Sequence, residues 1–123
     1  MNRLRQFSES FFYALRGLRY IISHEKNFQN EVFIGLLVII AMIYFQVTRA
    51  ESVVLFLVIM TVLVLEILNT VMERVVDILK PRVHPYARLI KDLMAAGVLI
   101  TSIVAIIIGL LIFIPYFQKW IAG

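Results

Sequence analysis

Glu66-Ile-Leu-Asn69-Thr-Val-Met-Glu73-Arg-Val-Val-Asp77 begins inside the apolar run Val53–Met72 and carries on past its end. At about 100° per residue, positions 66, 69, 73 and 77 fall within roughly an 80° arc of one helix face. Three carboxylates and an amide therefore share a stripe that descends out of the apolar run. Glu66 lies about 9 Å inside the end of that run, at about 1.5 Å rise per residue. An ionisable group in such a place costs at least about 2.5–3.5 kcal/mol on membrane-insertion scales, where Leu would be favourable. A polar residue kept there serves either to glue helices together or to do chemistry. The length and charge of this stripe favour chemistry.

Composition says what surrounds the stripe. Of 123 residues, 62% are hydrophobic and 16% charged, and the mean hydropathy is +0.93. One unit of this size has too much surface to hide so much apolar mass from water, so the excess faces lipid. The reading is an all-α membrane protein. Three spans are expected: TM1 over 31–48, slightly short against the typical 20 or so residues; TM2 over 52–73; and TM3 over 93–117, long enough to cross with tilt. Thr48–Ser52 reads as a tight turn. Residues 74–92 read as a polar loop, because Pro81 and Pro85 stop any helix that enters it.

Ahead of the spans, Leu4, Phe7, Phe11, Leu15, Leu18 and Ile22 recur at steps of three and four. Arg5, Glu9, Arg16 and Arg19 fall opposite them, and Phe12 alone breaks the pattern. A basic face backed by an aromatic one fits an amphipathic helix in the membrane surface, with the surface segment running over 4–28. The arginines in this segment interrupt the apolar core that a signal peptide needs.

The basic residues also set an orientation. Five precede TM1 (Arg3, Arg5, Arg16, Arg19, Lys26), and five lie in the 74–92 segment (Arg74, Lys80, Arg82, Arg88, Lys91). Only Arg49 and Lys119 lie on the other side. This bias places the N-terminus in the cytoplasm and the C-terminus outside, with Tyr116 and Trp120 at the far interface. The net charge of +4 is spread along the span flanks and forms no nucleic-acid patch. With no cysteine, thiolate and disulfide chemistry are excluded. His24 and His84 lack the paired spacing of a zinc site.

Several residues complement the stripe. Lys91 stands near the expected start of the third span, where the helix dipole adds to its charge and favours phosphate. Asp92 suits an N-cap there. Glu25, in His24-Glu25-Lys26-Asn27-Phe28, lies at the same interface as Glu73. Two such carboxylates can hold Mg²⁺, which otherwise keeps water and substrate phosphates. No P-loop and no glycine-rich nucleotide loop is present, so any nucleotide must be held by side chains at the membrane surface. Three helices make too few walls for such a site, which argues for sites shared between protomers.

Glu66-Ile-Leu-Asn69-Thr-x-x-Glu73-x-x-x-Asp77, then Lys91-Asp92 and Ala95-Ala96-Gly97-Val98, resembles the prokaryotic diacylglycerol kinase family, which includes undecaprenol kinases. Ala14-x-x-Gly17 and Glu25-x-x-Phe28 match earlier in the chain, so the resemblance covers roughly residues 7–105. It implies a homotrimer in the bacterial inner membrane, with sites at the cytoplasmic interface between protomers. The reaction implied is ATP-Mg-dependent phosphorylation of a lipid alcohol. Glu66 would be the general base. Glu25 and Glu73 would hold the Mg²⁺, and Asn69 and Asp77 would shape the nucleotide site. Lys91 would contact the phosphates and Asp92 would support the nucleotide, with Tyr13 and His84 nearby. Asn27, Phe28, Asn30 and Glu31 would line the headgroup entrance, beside Glu66.

Two signals bear on the acceptor. Glu31 resembles the diacylglycerol kinases, whose product is phosphatidic acid, and this reading is taken first. Many undecaprenol kinases resemble Arg-Ile-His where this chain has Gln29-Asn30-Glu31, yet His84-Pro85 resembles their branch. A small oligomeric transporter also uses intramembrane carboxylates, but it would place them near the midplane rather than beside Lys91. A purely structural subunit gives no reason for the stripe.

Overall fold

A computed structural model describes the chain from Asn2 to Gly123, apart from the side chains at 80–84. The first helix, α1, is Arg3–His24, capped by the Asn2 side chain on the Leu4 N–H at 3.0 Å. Glu25 then adopts an extended conformation (φ −109°, ψ 111°), and α2 follows directly as Lys26–Phe45. The α1–α2 elbow is thus a single residue. It stays hydrogen-bonded on both sides, with the Glu25 N–H on the Ile21 carbonyl at 3.0 Å and the Gln29 N–H on the Glu25 carbonyl at 3.1 Å. Gln29 Nε2 also reaches back to the Ile22 carbonyl at 2.7 Å.

After α2 the chain passes through Gln46 in the left-handed region (φ 53°). Thr48 starts the next helical run, Arg49–Ala122. Its hydroxyl accepts from the Glu51 N–H at 3.2 Å while the Glu51 carboxylate accepts from the Thr48 N–H at 3.0 Å, a reciprocal cap that satisfies two otherwise orphaned donors. The run cannot be one straight rod. Lys91 bonds Asp77 at 3.0 Å, although fourteen helical residues would separate them by about 21 Å. Tyr116 likewise bonds Glu51. The run is therefore two antiparallel arms, α3 (Arg49–Leu79) and α4 (Pro85–Ala122), each long and apolar enough to cross a membrane, as is α2.

Several expected boundaries move. The helix that carries the expected TM1 is Lys26–Phe45 and ends short of residue 48, and the surface segment expected over 4–28 breaks after His24, because the extended Glu25 separates the two helices. The Thr48–Ser52 turn is the capped start of α3, and the reversal sits earlier, at Gln46. The expected 74–92 loop is helical over its described parts, 74–79 and 85–92, within the run Arg49–Ala122. Asp92 lies within this helical run rather than at its start, so it is no N-cap. Pro81 and His84 lie outside the described residues.

The packed face of α3 carries Leu55, Val62, Glu66 and Thr70, all buried and spaced by seven, four and four residues as one helix face requires. Phe28 and Gly35 are the buried residues of α2. Gly35 permits a close crossing, since a Cβ there would meet Ile59 Cγ2 at 3.0 Å. At the end remote from Glu25, Tyr116 donates to Glu51 and Trp120 Nε1 donates to the Tyr44 hydroxyl at 2.8 Å. These contacts draw α4 against the α2–α3 connection.

Candidate active site

Glu66 is buried, at 5% exposure. Its carbonyl accepts from the Thr70 hydroxyl at 3.0 Å, within the helix. Glu31, Glu73 and Glu25 all lie within electrostatic range of its carboxylate. Two of these come from the elbow and α2, and Glu73 comes from the stripe itself. Four carboxylates gathered from two parts of the chain repel one another unless a cation or proton compensates them.

The neighbours of the cluster fix its members. Asn69 Nδ2 donates to Glu73 Oε1 at 3.1 Å, as their four-residue spacing allows. Arg74 donates through Nη2 to Glu25 Oε1 and through Nε to the Tyr20 hydroxyl at 3.4 Å. Tyr20 in turn stacks on His24, with ring centroids 4.4 Å apart. Lys91 pairs with Asp77 across the two arms, both partly exposed, so the lysine foreseen opposite the acidic stripe does meet it.

An apolar cavity of about 350 Å³ opens between α2, α3 and α4. Ile34, Gly35, Val38, Ile59 and Val62 are among its lining, and Glu31 is the one charged residue on its wall. The buried carboxylate thus stands near a hydrocarbon-lined groove.

The sequence of the prokaryotic diacylglycerol kinases matches residues 12–113. The chain belongs to the prokaryotic diacylglycerol kinase family. This kinase is 36% identical over 114 residues to the undecaprenol kinase of Bacillus subtilis, covering 93% of each chain. It is 36% identical over 107 residues to a diacylglycerol kinase of Synechocystis, covering 86% of its own length and 61% of the relative's. To the diacylglycerol kinase of Escherichia coli it is 35% identical over 95 residues, covering 77% and 78%. With three apolar helices of spanning length, it is a membrane lipid kinase.

Of the residues singled out from sequence, Glu25, Glu31 and Glu73 lie within electrostatic range of Glu66, Asn69 bonds Glu73, and Lys91 bonds Asp77. Phe28 is buried at the elbow. Asn27 and Asn30 are exposed on α2; Asn27 lies one turn before Glu31 on the same side of the helix, and Asn30 about 100° from it. Asp92 is exposed on α4. Tyr13 is 63% exposed on α1, with Arg16 over its ring at 5.6 Å. It lies seven residues before Tyr20, hence on the same helix face.

The sequence reading missed Arg74 and Tyr20. Arg74 counted there only as one of ten basic residues on its side of the membrane. Its position directly after Glu73, inside the stripe rather than beyond it, was the available signal.

Proposed function

We propose that this kinase transfers the γ-phosphoryl group of ATP-Mg to the hydroxyl of a membrane lipid alcohol, with Glu66 as general base. The observation that carries this reading is the buried Glu66 among Glu25, Glu31 and Glu73, beside an apolar groove. A lipid in that groove would present its hydroxyl near Glu31 and Glu66. Glu66 would take the proton as the oxygen attacks phosphorus, and proton acceptance at a positioned carboxylate is worth about 10²–10⁴-fold in rate. Phosphoryl transfer otherwise needs positioning and charge neutralisation more than covalent work by the protein.

Among the described residues no group of three or more His, Asp or Glu side chains is arranged to hold a metal. Mg²⁺ takes one or two carboxylates and fills its other positions with phosphate oxygens and water. Glu25 and Glu73 would hold it, and when bound it neutralises charge on the phosphates. Lys91, drawn from Asp77, would donate to those phosphates. Asp77 and Asn69 shape the site, while Tyr13, Asp92 and His84 attend the nucleotide. Asn27, Phe28, Asn30 and Glu31 form the headgroup entrance. The chain works as a homotrimer in the bacterial inner membrane, with α1 on the cytoplasmic surface, the C-terminus outside and sites completed between protomers.

The acceptor has two readings. The match to an undecaprenol kinase over 93% of both chains, together with His84-Pro85, favours undecaprenol. Glu31 favours diacylglycerol and phosphatidic acid as product. The deciding experiment offers both lipids in mixed micelles with radiolabelled ATP-Mg, to the parent chain and to Glu66→Gln. Label on one lipid, lost in the variant, supports the reading and chooses the acceptor. Label undiminished in Glu66→Gln removes Glu66 as the base. No label on either lipid, from folded oligomer, removes the proposed acceptors.

A further inference from the structure

We propose that Arg74 is a positioning residue that locks the α1–α2 elbow onto α3 and so presents the Glu25 carboxylate to the nucleotide-bound cation opposite Glu73. This deepens the function proposed above and rests on it.

The elbow is where the cluster is least constrained. Glu73 stands inside a continuous helix and is held by Asn69 one turn earlier. Glu25 is the single non-helical residue between two helices, with no helix of its own to fix its side chain. It occupies the N-cap position of α2, yet its carboxylate makes no capping bond. That carboxylate goes to Arg74 instead.

Arg74 grips both sides of the break at once. Nη2 takes Glu25 Oε1, and Nε takes the hydroxyl of Tyr20, one turn back in α1. Tyr20 is itself fixed from behind by its stack on His24, whose Nδ1 lies 2.9 Å from the Tyr20 carbonyl. A rigid guanidinium fork suits this two-point hold, whereas lysine carries one compact charge on a flexible stem. Because Arg74 adjoins Glu73 on α3, the elbow carboxylate is registered against the stripe carboxylate through one residue. The bond to Arg74 uses Oε1. A carboxylate accepts at both oxygens, so Oε2 is the atom to present to a cation. If Arg74 were merely a basic anchor facing lipid headgroups, its guanidinium would have no reason to turn back onto α1 and the elbow.

The test combines kinetics with a distance that needs no activity. Groups that orient metal ligands typically cost about 10–100-fold in metal affinity or activity when removed. Arg74→Ala is therefore expected to raise the KM for ATP-Mg at least about tenfold, with a smaller change in kcat and an unchanged KM for the lipid. Arg74→Lys should recover only part of the effect, because it restores the charge but not the fork. Since the chain has no cysteine, spin labels at Ser10→Cys and Ile78→Cys report only the α1–α3 separation, with labelled chains diluted among unlabelled ones. The parent should give a narrow distance distribution without nucleotide, and Arg74→Ala a broad one. An unchanged distribution overturns the lock. A broadened distribution with KM for ATP-Mg and KM for lipid raised alike overturns the link to the cation and leaves Arg74 structural. If the parent phosphorylates neither lipid, the proposed function fails by itself, and the distance distribution still decides whether Arg74 holds the elbow.

Discussion

Glu66 occupies a buried position on the packed face of α3. Burying a carboxylate there costs far more than burying a hydrocarbon side chain. Glu66→Leu should therefore abolish phosphoryl transfer and raise the thermal denaturation midpoint in detergent. The stabilisation is expected to be on the order of 2 kcal/mol, comparable to the insertion cost of a buried carboxylate, and differential scanning of the two proteins checks it. A Leu variant less stable than the parent would mean that Glu66 serves chiefly to hold helices together. The stripe was legible in sequence because one helical period decides which of its side chains share a face. Glu73 with Asn69 and Glu66 with Thr70 are neighbours by spacing alone. Glu25 with Arg74 are 49 positions apart, and no periodicity within either helix says which residue of the other it will meet.

Helix by helix, the apolar runs announced themselves, and their ends did not. The polar residues after Met72 read as the start of a loop, yet the described residues up to 79 and from 85 onward are helical. Charged residues end an apolar run without ending a helix, and beyond a membrane's hydrocarbon layer they are at home on helical surface. Glu25 broke the opposite way, splitting what had been read as surface helix up to residue 28. Nothing in its propensity demands that break, and the Arg74 contact supplies a tertiary reason for it. The crossing of α2 on α3 depends on Gly35, whose missing Cβ leaves 3.0 Å to Ile59. Gly35→Leu should force these helices apart at a cost of about 1–3 kcal/mol, the usual range for overpacking. A lowered denaturation midpoint checks this, and an unchanged midpoint would show that α2 slides without resistance.

Taken as a single copy, the molecule keeps little inside. Ile21, Phe28, Leu55, Val62, Val76 and Ala87 are its buried hydrophobic residues among those described, while Ile40, Ile43, Leu57, Ile100 and Leu111 stand open. In a membrane protein that surface meets lipid or other copies of the chain. Chemical cross-linking in native membranes is expected to capture trimers, and capture of monomer alone would remove the shared-site assembly. Sequence composition made the membrane legible, but not the assembly, because lipid-facing and subunit-facing residues can be equally apolar. At the end remote from the carboxylates, the chain's one tryptophan leans on Phe117 with ring centroids 5.8 Å apart and bonds Tyr44 across to α2. The protein therefore carries its own optical gauge: the emission of Trp120 reports whether α4 is seated on α2, and it does so without label, nucleotide or lipid turnover.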